Sequence, residues 1–202
     1  MKKILYLSFV IVLGLNLSSA YAQNAAYDRG STIVIGSFAY SSAGGELFVA
    51  EPDEDGRITT LQINPSLSYF VAPGLAIGGK VLFQRTAQDD DSFTTWGLGP
   101  QILYFIGSNR AQSSVKGTTY PYLGATFAFL RSTAKSTFRG QTDKDSANGT
   151  VVAFGLGINH MLTDSASLFV EGAYELDHMS GEGDSASGNK FNIVAGVAIF
   201  LY

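Results

Sequence analysis

The stretch Thr59-Thr60-Leu61-Gln62-Ile63-Asn64-Pro65-Ser66-Leu67-Ser68-Tyr69 decides the fold. Its odd positions carry Leu61, Ile63, Pro65, Leu67 and Tyr69, while Gln62, Asn64, Ser66 and Ser68 fill the even ones. A helix would scatter these two sets around its circumference. An extended strand puts each set on its own face, so the stretch reads as a strand with one apolar side. The same alternation recurs. Leu75, Ile77, Gly79, Val81 and Phe83 form one such series, and Trp96, Leu98, Pro100, Ile102 and Tyr104 another. Two more are Val152, Phe154, Leu156, Ile158 and Leu168, Val170, Gly172, Tyr174, Leu176. Segments near residues 32–40, 122–131 and 191–202 bring the strand count to eight.

The links between these strands differ in kind. Residues 71–74 and 162–165 read as tight turns, with a longer connection near 108–119. The other four, at residues 41–56, 87–92, 132–149 and 179–188, are polar and often acidic and read as long loops. Short turns at one end and long polar links at the other is the plan of a transmembrane barrel. A weak repeat supports hairpins in one sheet: Asn64-Pro65-Ser66-Leu67-Ser68-Tyr69-Phe70-Val71 is echoed by Gly99-Pro100-Gln101-Ile102-Leu103-Tyr104-Phe105-Ile106. Gly155-Leu156-Gly157-Ile158-Asn159-His160-Met161-Leu162 follows it more loosely.

Composition narrows the class. The chain of 202 residues is 46% hydrophobic and 15% charged, with 23 Gly, which excludes a disordered protein. The absence of Cys removes disulfides, thiolate metal sites, cysteine nucleophiles and a lipoprotein anchor. A net charge of −4 argues against a nucleic-acid partner. Lys2 and Lys3, an apolar run over residues 4–15, and Ala20-Tyr21-Ala22 have the layout of a secretory signal peptide, so residues 1–22 are expected to be removed and 23–202 to form the barrel domain.

Alternation alone does not say which face looks inward. In a soluble barrel the apolar face lines the axis, and in a membrane barrel it meets lipid. Tyr69, Tyr104, Tyr174 and Tyr202 close or nearly close the apolar faces of their strands, as interfacial aromatics do. The opposite face mixes Gly and Ala with Gln62, Lys80, Gln84, Glu171 and Glu175, which suits a narrow lumen with Lys80, Glu171 and Glu175 as internal ion pairs. Leu61, Ile63, Leu67, Leu98 and Ile102 should therefore point away from the axis; the reverse would mean a secreted lipocalin-like carrier. Pro65 and Pro100 fall inside strands, where each deletes a ladder hydrogen bond, so bulges or locally water-bridged backbone are expected there. Both faces of the last strand are apolar, which leaves its facing open.

The tail Phe200-Leu201-Tyr202, with Val194, Gly196 and Ala198 in phase, resembles the C-terminal signal by which bacterial outer-membrane proteins engage the barrel-assembly machinery. The chain from residue 23 onward resembles the small eight-stranded outer-membrane β-barrel family, and residues 64–74 and 97–106 are similar to its Bacteroidetes-type members. That resemblance implies an all-β, up-and-down transmembrane barrel in the outer membrane, with short periplasmic turns and longer extracellular loops. It implies lipid, lipopolysaccharide and the assembly machinery as partners, with Phe200 and Tyr202 as the assembly signal.

Chemistry-bearing residues are few. His178 and Ser180 lie two apart, so in a strand they share a face, and Glu182 or Glu175 would supply the acid. The triplet resembles lipid A deacylase barrels, but Gly181 stands where that family has Asn. Acidic loop residues Asp53, Asp55, Asp89 and Asp91 offer hard oxygen ligands for a divalent cation without EF-hand spacing. The plainer reading is a loop histidine and hydrated acids, with no catalytic residues, metal or cofactor. An eight-stranded lumen is filled by side chains. The expected protein is a monomeric barrel without a diffusion pore, whose loops contact the surroundings; a lipid hydrolase is the rival.

Overall fold

The computed structural model describes residues 26–44, 57–88, 91–108, 116–138, 141–181 and 185–202. The expected signal peptide lies outside them. Eight strands follow in chain order: β1 Thr32–Gly44, β2 Arg57–Ala72, β3 Leu75–Gln88, β4 Asp91–Phe105, β5 Thr119–Phe138, β6 Gln141–Met161, β7 Ala166–Ser180 and β8 Ser185–Leu201. Each pairs antiparallel with its neighbour in sequence, and β8 returns to β1 to close the barrel. Following paired residues once around the ring climbs about ten positions along β1, the stagger that tilts strands in a small barrel.

The wall is inverted relative to a soluble protein. Leu67 and Leu98 are each 57% exposed and Leu156 63%, and Ile63 and Ile102 share their outward face. Ser66, Ser68, Gln101, Asn159 and Glu171 are buried on the axial side. The chain thus has the fold of a transmembrane β-barrel, and the carrier alternative falls on the direction of these side chains. The last strand resolves in the same way. Phe191, Ile193 and Val197 are exposed, while Ala198 and Phe200 are buried inside.

Three expected loops are strand instead. The ladders run to Gln88↔Asp91, Phe138↔Gln141 and Ser180↔Ser185, so residues 87–92, 132–149 and 179–188 are hairpins paired almost to their tips. Polar composition predicted loops, but polar residues form strands equally well once both faces meet water. β6 consequently runs seven residues past the last rung it shares with β7, Asn148↔Ser180, while β5 stays paired with β4 as far as Lys135↔Ser92 and outruns it by three; we call this β5–β6 hairpin the ribbon. At the other end the β2–β3 and β6–β7 turns are short, and Gly74 takes φ 75, a left-handed backbone that only glycine adopts freely. We call these the ribbon end and the turn end.

The expected bulges at Pro65 and Pro100 do not form. The β2–β3 register passes from Ile63↔Phe83 to Ser66↔Lys80 without a shift, and β4–β5 passes likewise from Leu98↔Phe129 to Gln101↔Thr126. Each proline skips ladder partners on one side only and opposes a glycine on the other, Gly36 for Pro65 and Gly79 for Pro100. The single shift in β2 lies instead between Phe70 and Ala72, at the turn.

Candidate functional site

The lumen is the candidate site, and it is layered. At the turn end, the segment preceding β1 folds across the opening. Gly74 N–H donates to the Tyr27 carbonyl at 2.8 Å, and Gly30 N–H to the Phe70 carbonyl at 3.0 Å. This strap drops the Tyr27 ring into the axis, where it is only 2% exposed. Around it stand Phe70, Phe105, Tyr120 and Phe200, with ring centroids 5.9, 4.9, 4.6 and 4.8 Å away. The Tyr27 hydroxyl accepts a hydrogen bond from Asn159 Nδ2 at 2.7 Å and donates to Met161 Sδ at 3.2 Å. Asn159 Oδ1 in turn accepts from Ser167 Oγ at 2.8 Å. Burial pushes the Tyr27 phenol well above its ordinary range, so it stays a neutral donor. Such a plug combines aromatic area with a satisfied polar tip.

The sequence repeat supplies three members of this plug. Phe70, Phe105 and Met161 hold its seventh position on β2, β4 and β6, and all three are buried on the axis. The sixth position, Tyr69, Tyr104 and His160, points outward beside them. An apolar residue on an otherwise small and polar face was the available signal. Tyr27 carried none, because it precedes the first strand.

Above the plug lies a polar layer. Gln101 Nε2 donates to Ser66 Oγ at 3.0 Å and Ser68 Oγ at 2.9 Å, joining β2 to β4. Lys80 Nζ stands 4.0 Å from Glu171 Oε1, and the Tyr122 hydroxyl is hydrogen-bonded to Glu171. Two glycines make room for these groups: a Cβ on Gly155 would lie 2.8 Å from Glu171 Cδ, and one on Gly157 would lie 2.6 Å from the Tyr122 ring. A lumenal cavity of about 20 Å³ borders this layer, enough for one water.

Nearer the ribbon end, Lys190 Nζ bridges Glu175 Oε2 at 2.9 Å and Asp177 Oδ2 at 3.2 Å. Glu175, expected to share the Lys80 ion pair, is therefore paired with Lys190, its direct cross-strand partner. Lys190 and Asp177 were missed because the sequence shows strand faces but not which strands adjoin. Asp177 Oδ1 is buried without a hydrogen-bond partner among the described residues, beside a second cavity of about 30 Å³.

The expected aromatic girdle divides. Tyr69 and Tyr104 are outward near the turn end. Tyr174 is outward too, but its neighbours are Phe154 and Phe191, in the half of the wall nearer the ribbon end. There it belongs with Tyr40, Trp96 and Phe129. Tyr202 is corrected: it is half-buried against the lumenal cluster, in phase with Phe200 and not with the outward tyrosines.

His178 does not meet Ser180. Its Nδ1 lies 2.9 Å from Ser187 Oγ, the residue opposite it on β8. Ser180 is instead opposite Ser185, and Glu182 lies outside the described residues. His160 likewise meets its cross-strand partner, Thr119 Oγ1, at 2.8 Å. Of the acidic candidates, Asp53, Asp55 and Asp89 are outside the described residues, and Asp91 opens β4. No cluster of three metal-ligating side chains occurs among the described residues.

Fold and lumen together define an eight-stranded outer-membrane type of barrel. No family model and no curated protein matches the chain. Among solved structures it is similar to Neisserial surface protein A, with a TM-score of 0.55 and 13% identity over 84% of this chain and 96% of that one. It is also similar to the outer membrane protein OprG from Pseudomonas aeruginosa, with a TM-score of 0.52 and 13% identity over 89% and 99% of the two chains. At such identity the likeness is one of fold.

Proposed function

We propose that this is an integral protein of a bacterial outer membrane whose barrel anchors without conducting and whose ribbon end makes contact outside the cell. The observation that carries the reading is the Tyr27 plug, seated inside a wall whose outer surface is apolar. An apolar exterior needs hydrocarbon, and an axis closed by packed rings leaves no path for solutes. Both similar structures are of proteins named for a surface or outer-membrane location, which supports the same placement. In this orientation the turn end is periplasmic. Phe200 and Tyr202 are then read by the assembly machinery before closure, since both turn inward afterwards.

Cell fractionation and planar-bilayer recording test the reading together. The protein should partition with the outer membrane, run with heat-modifiable mobility, and give no conductance steps. Solubility without detergent, or steady ion-conducting steps, would overturn it. Incubation with lipid A should release no fatty acid, because His178 faces Ser187 without an acid beside it among the described residues.

A further inference from the structure

Charge in the strands is sorted between the two sides of the wall. Every acid in the described strands, namely Asp91, Asp143, Asp145, Glu171, Glu175 and Asp177, occupies the axial register. Arg85, Arg131, Lys135 and Lys144 occupy the outward register, and all four are exposed. None of them has an ion-pair partner among the described residues, in contrast to Lys80 and Lys190 on the axis. A chain of net charge −4 has no general surplus of bases to explain this.

Their level is equally specific. Arg85 and Arg131 each lie one outward position beyond an aromatic, Phe83 and Phe129, and Trp96 sits between them, paired with both Phe83 and Arg131. Such aromatics mark the membrane–water interface, and the next position outward meets lipid headgroups. On the ribbon, Lys135 stands directly opposite Lys144. Like charges so placed destabilise a ladder unless an anion lies between them. The other ribbon face carries Asp143 and Asp145, so the two faces have opposite sign.

We propose that Arg85, Arg131, Lys135 and Lys144 form a cationic collar that binds the phosphate of an outer-leaflet lipid headgroup. Guanidinium forks suit phosphate oxygens, and the ammonium pair supplies charge where the ribbon leaves the membrane. This rests on the membrane placement proposed above and names one partner of that surface.

The test uses the full-length protein refolded in detergent micelles and challenged with monophosphoryl lipid A or the same lipid after dephosphorylation. Native mass spectrometry counts retained lipid. The wild type should retain the phosphorylated form preferentially. Combining Arg85→Gln, Arg131→Gln, Lys135→Gln and Lys144→Gln should lower that retention at least about tenfold. Asp143→Asn with Asp145→Asn, on the opposite ribbon face, should not lower it. Equal retention of both lipids, or unchanged retention in the fourfold variant, overturns the collar. So does tight binding of soluble dextran sulfate that excludes the lipid, which would make the face a receptor for a free polyanion. Heat-modifiable mobility is read on every sample: if the wild type lacks it, the membrane reading fails and the collar with it, whereas a folded barrel blind to phosphate defeats the collar alone.

Discussion

The two ends of this barrel are built on opposite terms. At the turn end, five aromatic rings, a strap of backbone hydrogen bonds and a buried Tyr27–Asn159–Ser167 chain fill the axis. At the ribbon end, the β5–β6 hairpin, flanked by β4 as far as Lys135, carries polar and exposed faces. The first end gains its stability from side chains of many strands meeting at one point. The second has only the ladder itself and the cross-strand pairs along it. Anchoring is thus concentrated where sequence change is least tolerated, and contact surface where it is most tolerated.

That contrast is open to attack by mutation. Tyr27→Ala removes the centre of the plug and should cost about 3–5 kcal/mol, measured by urea unfolding in lipid vesicles. It should also produce conductance steps absent from the parent. A loss below about 1 kcal/mol would mean that the plug fills space without holding the barrel. Gly157→Ala, just above the plug, forces a Cβ into the Tyr122 ring and should cost about 1–3 kcal/mol by the same measurement. Lys190→Met leaves Glu175 and Asp177 facing each other. Because that lysine is 43% exposed, screening limits the loss to about 1 kcal/mol, and it should shrink further in high salt. Excising residues 134–145 shortens the ribbon and should shift stability by no more than about 0.5 kcal/mol while heat-modifiable mobility persists. A large loss there would erase the distinction between the ends.

Strand number, order and facing were legible because a period of two survives along most of the wall, and Leu61 to Tyr69 shows it without interruption. The last strand was illegible for the converse reason. Both its faces are apolar, one for the membrane exterior and the other for the plug, as Ile199 and Phe200 illustrate. The polar hairpins were misread since hydrophilic strands leave no pattern once neither side is buried. Of the lumenal site, the acids Glu171 and Glu175 stood out as charges among Gly and Ala, but their partners did not. Pairing Lys190 with Glu175 depends on register between β7 and β8, which is a property of the closed ring and not of either segment. Tyr27 was invisible because its role is tertiary: nothing local distinguishes a tyrosine beside a strand from one in a tail.

The joint between first and last strands has its own consequence. β1 and β8 are stitched from Thr32↔Leu201 to Ser37↔Gly196, and no further pair joins them among the described residues. Those few rungs sit beside the packed rings of Tyr27 and Phe200, contributed from the two sides of the joint. Closing the circle and seating the stopper are therefore one event, since the cage is incomplete while its final stave stands apart. The half of the joint nearer the ribbon has no such fastening. Thermal breathing should start there, with amide protons along residues 38–40 and 190–195 exchanging ahead of those at the stitched end.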